Sequence, residues 1–378
     1  MKKAIILLGI GSLFGCAGSE WKLPDSVMLD GFKVQKGYHC ESSAMLNLLQ
    51  HQGYEITENQ IIGAGSALGF TLDSSSFPFL GGRNLELKEN VERTTGITWQ
   101  RGTIEKHGDG WEKIYSLLKE DSPVALRVDM RYLPYLYGEK YGSKHMSFGW
   151  HMICITGMNE EKQTAYVTDT ENTGLQEIKL KDLHRARFSN TKVFPPEGEF
   201  YWTEKKAPDF VFDWEKIAID SLTETERAMC SAKSVNGNLI GFDGLSKYPS
   251  VLSDFDERVP SYLLAQVLTF HYGCIETNGT GGAAFRKMYY NFLEETGKTS
   301  GSQFIMEAAQ RLEPAVTAWS KLALDMKKLS DDKIRLKNKE RLKAALTGLS
   351  QSAEKIYQTE KKFYEHIRQP VESDKNNQ

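Results

Sequence analysis

The stretch WHMICITGMNEEKQTAYVTDT, residues 150 to 170, constrains the fold most. It is an apolar run, a polar turn at Asn159 to Gln163, and a second run that ends at Asp169. That pattern predicts an antiparallel hairpin. A lone hairpin is marginal in water, and the flanking sequence supplies elements to cover it. Residues 40 to 52 place Ala44, Met45, Leu48 and Leu49 on one helical face. NQIIGAGSALGFTL reads as a helix end and a glycine-rich loop, GWEKIYSLLKEDS as a second amphipathic helix, and PVALRVDM as a strand. GLQEIKLKDLHRARFS adds a strand and a short helix. Residues 31 to 205 therefore mix the two element types.

The stretch VFPPEGEFYWTEKKAPD, with three prolines and a charge cluster, marks a boundary. Beyond it the pattern is helical. MEAAQRLEPAVTAWSKLALDMKKL and NKERLKAALTGLSQSAEKIYQTEKKFYEHI carry apolar residues at steps of three and four, and predict a closing helical hairpin. The expected class is α+β, a mixed domain over 31–205 followed by a mostly helical domain over 206–368 and a frayed tail over 369–378. The chain of 378 residues is long enough for both.

The first sixteen residues, MKKAIILLGIGSLFGC, join two lysines to an apolar stretch that ends at Cys16. The pattern resembles a bacterial lipoprotein leader, with Cys16 as the lipidated residue, residues 17–30 as a polar tether, and an exported, membrane-anchored product. The alternatives are a cleaved ordinary signal, a buried first strand, or a cytoplasmic chain. GIGSLFG lies inside this leader with no helix after it, so it is not a dinucleotide-binding loop. No later run is long and apolar enough to span a bilayer. A formal charge of −3 gives no electrostatic case for nucleic acid as a partner.

Thiol catalysis needs a thiolate, a base that takes and returns its proton, and a group that orients the base. Cys40 stands at the start of a helix, where unpaired N–H groups and the dipole favour negative charge. His151 opens an apolar strand, and Asp169 ends the strand that pairs with it. The order Cys, His, Asp on helix, strand and strand is that of papain-like enzymes. An oxyanion donor is also required, and Gln35, five residues before Cys40, is the candidate. His39 is too close along the chain to serve as the base. Cys154 lies mid-strand and reads as core; Cys230 and Cys274 have no evident base. The cysteines are widely spaced, with no metal-ligand pattern. Neither a metal nor another cofactor is called for.

GYHCESSAMLNLLQHQGYEITENQIIGAGSALGF closely resembles the N-terminal domain of the BtrH family, named for a butirosin-biosynthesis protein. GWHMICITGMNEEKQTAYVTDT matches that domain's second signature, and CIETNGTGGAAFRKMYYNFLEE looks like the helical domain of unassigned function that commonly follows it. The resemblance spans about residues 30 to 325. It implies a papain-like cysteine acyltransferase fold. In the butirosin member an aminoacyl group moves from a carrier protein to an aminoglycoside amine. By motif position Cys40 would carry the thioester, His151 would be the base and Asp169 would orient it. The implied partners are an acyl donor, either a carrier protein or a small amide or thioester, and an amine acceptor. A membrane is added if the leader is real.

Two loops invite a substrate role. In ETNGTGGAAFRKMY, glycines 279, 281 and 282 would allow a tight turn before a helix starting near Ala283. Either Arg286 supports an anion at that helix start, with Glu276 as a second substrate-binding candidate in the same segment, or the segment is a packing turn with Arg286 paired to Glu276. Arg83, in FPFLGGRN, is a further loop candidate for substrate contact. The tyrosine-rich stretch RYLPYLYGEKYGSKHMSFGWH leads into His151, as a cleft wall, a lid or a core edge. Three functions stay open: an acyltransferase through a Cys40 thioester, a papain-like peptidase or amidase with the same triad, and a non-catalytic surface lipoprotein.

Overall fold

The structure, a computed structural model, describes residues 22–102, 109–137, 147–170, 172–192 and 194–368. The leader with Cys16, part of the tyrosine-rich stretch and the tail from 369 lie outside the described residues.

The elements follow in chain order. They begin with β1 (Val27–Met28), α1 (Cys40–His51), α2 (Glu58–Ala64), β2 (Leu68–Leu72), β3 (Leu80–Arg83), α3 (Leu87–Thr95) and β4 (Gln100–Gly102). Next come α4 (Asp109–Lys119), β5 (Val124–Val128), α5 (Pro134–Tyr137), β6 (His151–Asn159), β7 (Thr164–Thr168), β8 (Gln176–Lys179), α6 (Leu180–Arg187) and β9 (Phe200–Trp202). The helical half holds α7 (Trp214–Ser231), β10 (Leu239–Ile240), α8 (Gly241–Ser253), α9 (Phe255–Arg258) and α10 (Leu264–Glu276). It closes with α11 (Arg286–Ser300), α12 (Gln303–Asp331), α13 (Lys333–Lys337) and α14 (Lys339–Arg368). The class is α+β.

Strands β4, β9, β5, β6, β7 and β8 lie side by side in that order, all antiparallel, and β1 also pairs with β6. The expected hairpin is β6–β7, with Asn159 opposite Thr164 and Cys154 opposite Thr168. Its period of two sends side chains to two cores. Ile153 and Ile155 join Ile114 and Leu118 of α4 and Leu183 of α6; Met152 and Cys154 join Met45 and Leu48 of α1. Among the described residues, no helix is long and apolar enough to cross a membrane.

Four expectations need correction. Residues 23–29 are not a polar tether, because β1 adds to the sheet and Leu23 and Leu29 are buried against it. Much of the glycine-rich loop after α2 is the strand β2, which β10 of the helical half joins to complete a three-stranded sheet with β3. The proline-rich boundary contains β9, which bonds to both β4 and β5. One hydrophobic core runs without a break from α1 and α2 into α12 and α14, so position 205 does not separate two cores. The two long closing helices, α12 and α14, joined through the short α13, form the expected hairpin.

Candidate active site

Helix α1 begins at Cys40, whose side chain is half-buried. The Ser42 N–H donates to the His39 imidazole at 3.3 Å, and the Ser43 N–H to the His39 carbonyl at 2.8 Å. The Cys40 and Glu41 N–H groups are the first-turn donors that the helix leaves without an internal acceptor. Beside the helix start, the first residue of β6 brings in His151, and the end of β7 brings in Asp169. Both are buried. The His151 Nε2–H sits between the two carboxylate oxygens of Asp169, at 2.8 and 2.9 Å. The Cys40 thiol is the imidazole's other side-chain partner. Nδ1 is therefore the nitrogen left for sulfur.

Burial alone would push the His151 imidazolium down. The Asp169 carboxylate, with a smaller contribution from Cys40, outweighs burial and holds it at about 10. Burial pushes the Asp169 carboxyl up, but His151, the Thr170 N–H and the Tyr135 hydroxyl outweigh that and leave it below its ordinary value. Burial raises Cys154, takes Cys230 to about 11 and takes Cys274 to about 12, so these are poor nucleophiles at neutral pH.

Asp169 has a fixed setting. Its Oδ1 accepts the Thr170 N–H at 2.7 Å and the Thr170 hydroxyl at 3.1 Å, and its Oδ2 accepts the Tyr135 hydroxyl at 2.9 Å. Burial and the carboxylate keep Tyr135 protonated, hence a donor. Asp129, fully buried at the end of β5, accepts the Phe148 N–H at 3.2 Å and the Ser189 hydroxyl at 2.6 Å, and so fixes the approach to His151. On the nucleophile side, the Glu58 carboxylate at the start of α2 accepts the Tyr38 N–H at 2.8 Å, the His39 N–H at 2.9 Å and the Ser42 hydroxyl at 2.8 Å. The Gly37 N–H donates to the Thr170 carbonyl at 3.3 Å, which ties the two sides together. Tyr135, Glu58, Asp129 and Thr170 were not singled out from the sequence. For Glu58 the visible signal was the capping pattern Thr57-Glu58-Asn59-Gln60, which the structure forms in full. That pattern announces a helix, and nothing in it announces a clamp on residues 38 to 42.

The remaining candidates are placed differently. Gln35 is gripped by its backbone, its N–H donating to Asn47 Oδ1 at 2.9 Å, while its side-chain amide donates to the Lys33 carbonyl at 3.4 Å. This is not the arrangement of an oxyanion donor. Arg83 ends β3 rather than a free loop, and it donates to Glu41 at 3.0 Å and to the Asn84 carbonyl at 2.8 Å. Arg286 is neither an anion site nor paired to Glu276. It is fully buried, donates to Glu360 through Nε at 2.8 Å, and donates to the Gly69, Gly82 and Ala284 carbonyls at 2.8, 2.7 and 2.9 Å. Glu276 accepts the Ala283 N–H at 3.4 Å and so serves the turn. Two surface cavities, of about 230 and 440 Å³, include none of Cys40, His151 and Asp169 among their lining residues.

Residues 39–170 match the family model described as butirosin biosynthesis protein H, N-terminal, and residues 181–367 match a domain of unknown function, DUF4872. The chain thus carries the BtrH N-terminal domain followed by the DUF4872 domain. No curated protein sequence matches it.

The linkage between His151 and Asp169 has a definite sign. Raising an imidazole from its ordinary 6.5 to about 10 adds stability that is fully present below 6.5 and is lost as pH climbs toward 10. The depressed Asp169 carboxyl adds stability above its ordinary 3.8, lost as pH falls through its lowered value. In Asp169→Asn the thermal midpoint should lose its decline between pH 6.5 and 10. Alkylation of the Cys40 thiol at neutral pH should slow by about tenfold, since the imidazole loses its orienting charge. An unchanged midpoint-against-pH curve would contradict the pairing.

Proposed function

We propose that the chain is a cysteine acyltransferase that carries its acyl group as a thioester on Cys40 and delivers it to an amine. The observation that carries this reading is the sulfur at the open end of α1 beside an imidazole whose far nitrogen lies between both oxygens of Asp169. The match to the BtrH N-terminal family supports the class of chemistry. The Cys40 thiolate attacks the carbonyl carbon of a thioester or amide. The His151 imidazolium protonates the leaving thiol or amine as the tetrahedral intermediate collapses. In the second half the acceptor amine attacks the thioester, His151 takes its proton, and Cys40 leaves as thiolate. The Cys40 N–H is the oxyanion donor of this scheme. A lipid on Cys16 would put the reaction at a membrane surface and favour a small amide or thioester donor over a cytoplasmic carrier protein.

The test is incubation with an acyl thioester of N-acetylcysteamine, followed by intact-mass and peptide analysis, with and without a primary amine. The expected results are one acyl adduct on Cys40 and its disappearance with formation of amide when amine is added. Release as free acid at a rate indifferent to amine would make the chain a hydrolase with the same triad. No adduct would defeat both readings and favour a binding scaffold.

A further inference from the structure

We propose that His39 is a positioning residue that caps the nucleophile helix as a neutral acceptor, and that Phe285 of the helical half holds its ring in place. The inference rests on the reading of Cys40 as the nucleophile.

Helices are usually capped by Ser, Thr, Asp or Asn, yet His39 caps α1 through its side chain. The Nδ1 atom accepts the Ser42 N–H at 3.3 Å, so this nitrogen carries a lone pair and the ring is uncharged. An Asp in its place would cap equally well but would set a negative charge one residue from the sulfur. A neutral cap leaves the field of the helix start to the Cys40 thiolate. Burial, then the nearby Arg83 and His151, oppose protonation of the ring.

The ring is held by its neighbours. Glu58 fixes its backbone, and the Phe285 ring meets it edge-on, with centroids 5.2 Å apart and planes at 76°. Phe285 reaches it from a segment in which five consecutive residues, 281 to 285, have φ of +62°, +95°, +50°, +50° and +71°. Glycine tolerates that conformation, but Ala283, Ala284 and Phe285 carry a Cβ and are strained by it. The expected helix start near Ala283 is therefore delayed to Arg286. The turn persists because Glu276 takes the Ala283 N–H, Arg286 takes the Ala284 carbonyl, and Gly82 has no Cβ to collide with Ala284. Strain that a fold holds in place from several sides is a pointer to function, and what this turn delivers is Phe285 against the cap. Other titratable groups around Cys40 and His39 are Glu41 on α1, Glu58 on α2, Arg83 on β3, His151 on β6 with Asp169 behind it, and Tyr201 on β9.

The test is the rate of Cys40 labelling by iodoacetamide, a neutral reagent, from pH 5 to pH 9.5 in the full-length chain. His39→Asp and His39→Asn are equal in shape and differ in charge. The Asp variant is expected to react about tenfold more slowly than the Asn variant at pH 6, its profile displaced upward by about one pH unit. Phe285→Ala is expected to slow labelling at pH 6 by about threefold to tenfold, and Phe285→Leu, which keeps most of the bulk, to recover most of that. Circular dichroism confirms the fold of each variant. Coincident profiles for the Asp and Asn variants overturn the neutral cap, and an unmoved profile in Phe285→Ala, or in the milder truncation Phe285→Val should Ala not fold, overturns the role of Phe285. A wild-type profile indifferent to His151→Ala would instead count against the nucleophile reading itself.

Discussion

Cys40→Ala is expected to reduce acyl transfer by at least about 10⁴-fold, the scale on which a lost nucleophile is felt when it acts as a unit with its base. The same variant should keep its fold to within about 1 kcal/mol. Both halves of that expectation come from position. The sulfur is half-buried at the first residue of α1 and fills no sealed core, and Ala is the best of helix formers. The remaining described cysteines cannot substitute, since burial keeps each of them protonated at neutral pH. Product formation by mass spectrometry and a thermal melt measure the two quantities. Turnover close to wild type would end the thioester reading, whatever the melt showed.

Glu360→Ala is expected to cost about 3–5 kcal/mol of stability, the scale of a buried pair stripped of one partner. Arg286 and Glu360 are both fully buried, and Glu360 also accepts the Trp319 indole N–H at 2.6 Å. Removing the carboxylate strands a guanidinium that cannot shed its charge and leaves the Trp319 donor unmatched. Against a total of about 5–15 kcal/mol for an ordinary domain, the denaturant midpoint should fall by a large fraction of its value. Replacing the pair by Met and Leu should recover only part, because the Gly69, Gly82 and Ala284 carbonyls that Arg286 satisfies would then be buried without a donor. A midpoint within about 1 kcal/mol of wild type would show that Arg286 does not anchor the turn.

Much of this was legible in the sequence because it is local. The hairpin of β6 and β7 shows in its alternation and polar turn, the closing helices in their period, and the helix after Cys40 in Ala44, Met45, Leu48 and Leu49. Reading Cys40, His151 and Asp169 as one group needed only the geometry of a helix start and a hairpin. What escaped is non-local. Arg286 finds Glu360 across 74 residues, and β10 reaches back to β2, so the helical half could not be seen as part of the same core. Tyr135 looked like one of several tyrosines because its hydroxyl meets Asp169 only after α5 is set against the sheet. Gln35 was placed by spacing alone, and spacing says nothing of Asn47, which grips its backbone.

The most direct test of the account is the rate of Cys40 alkylation against pH, wild type beside His151→Ala, in the full-length chain. The account predicts a wild-type rate that is already near its plateau at pH 7 and a mutant whose rate climbs about tenfold per unit up to the range of a free thiol, about 8.5. Coincident curves, both still climbing at pH 8, would mean that His151 does nothing for the sulfur and that Cys40 is a packing residue.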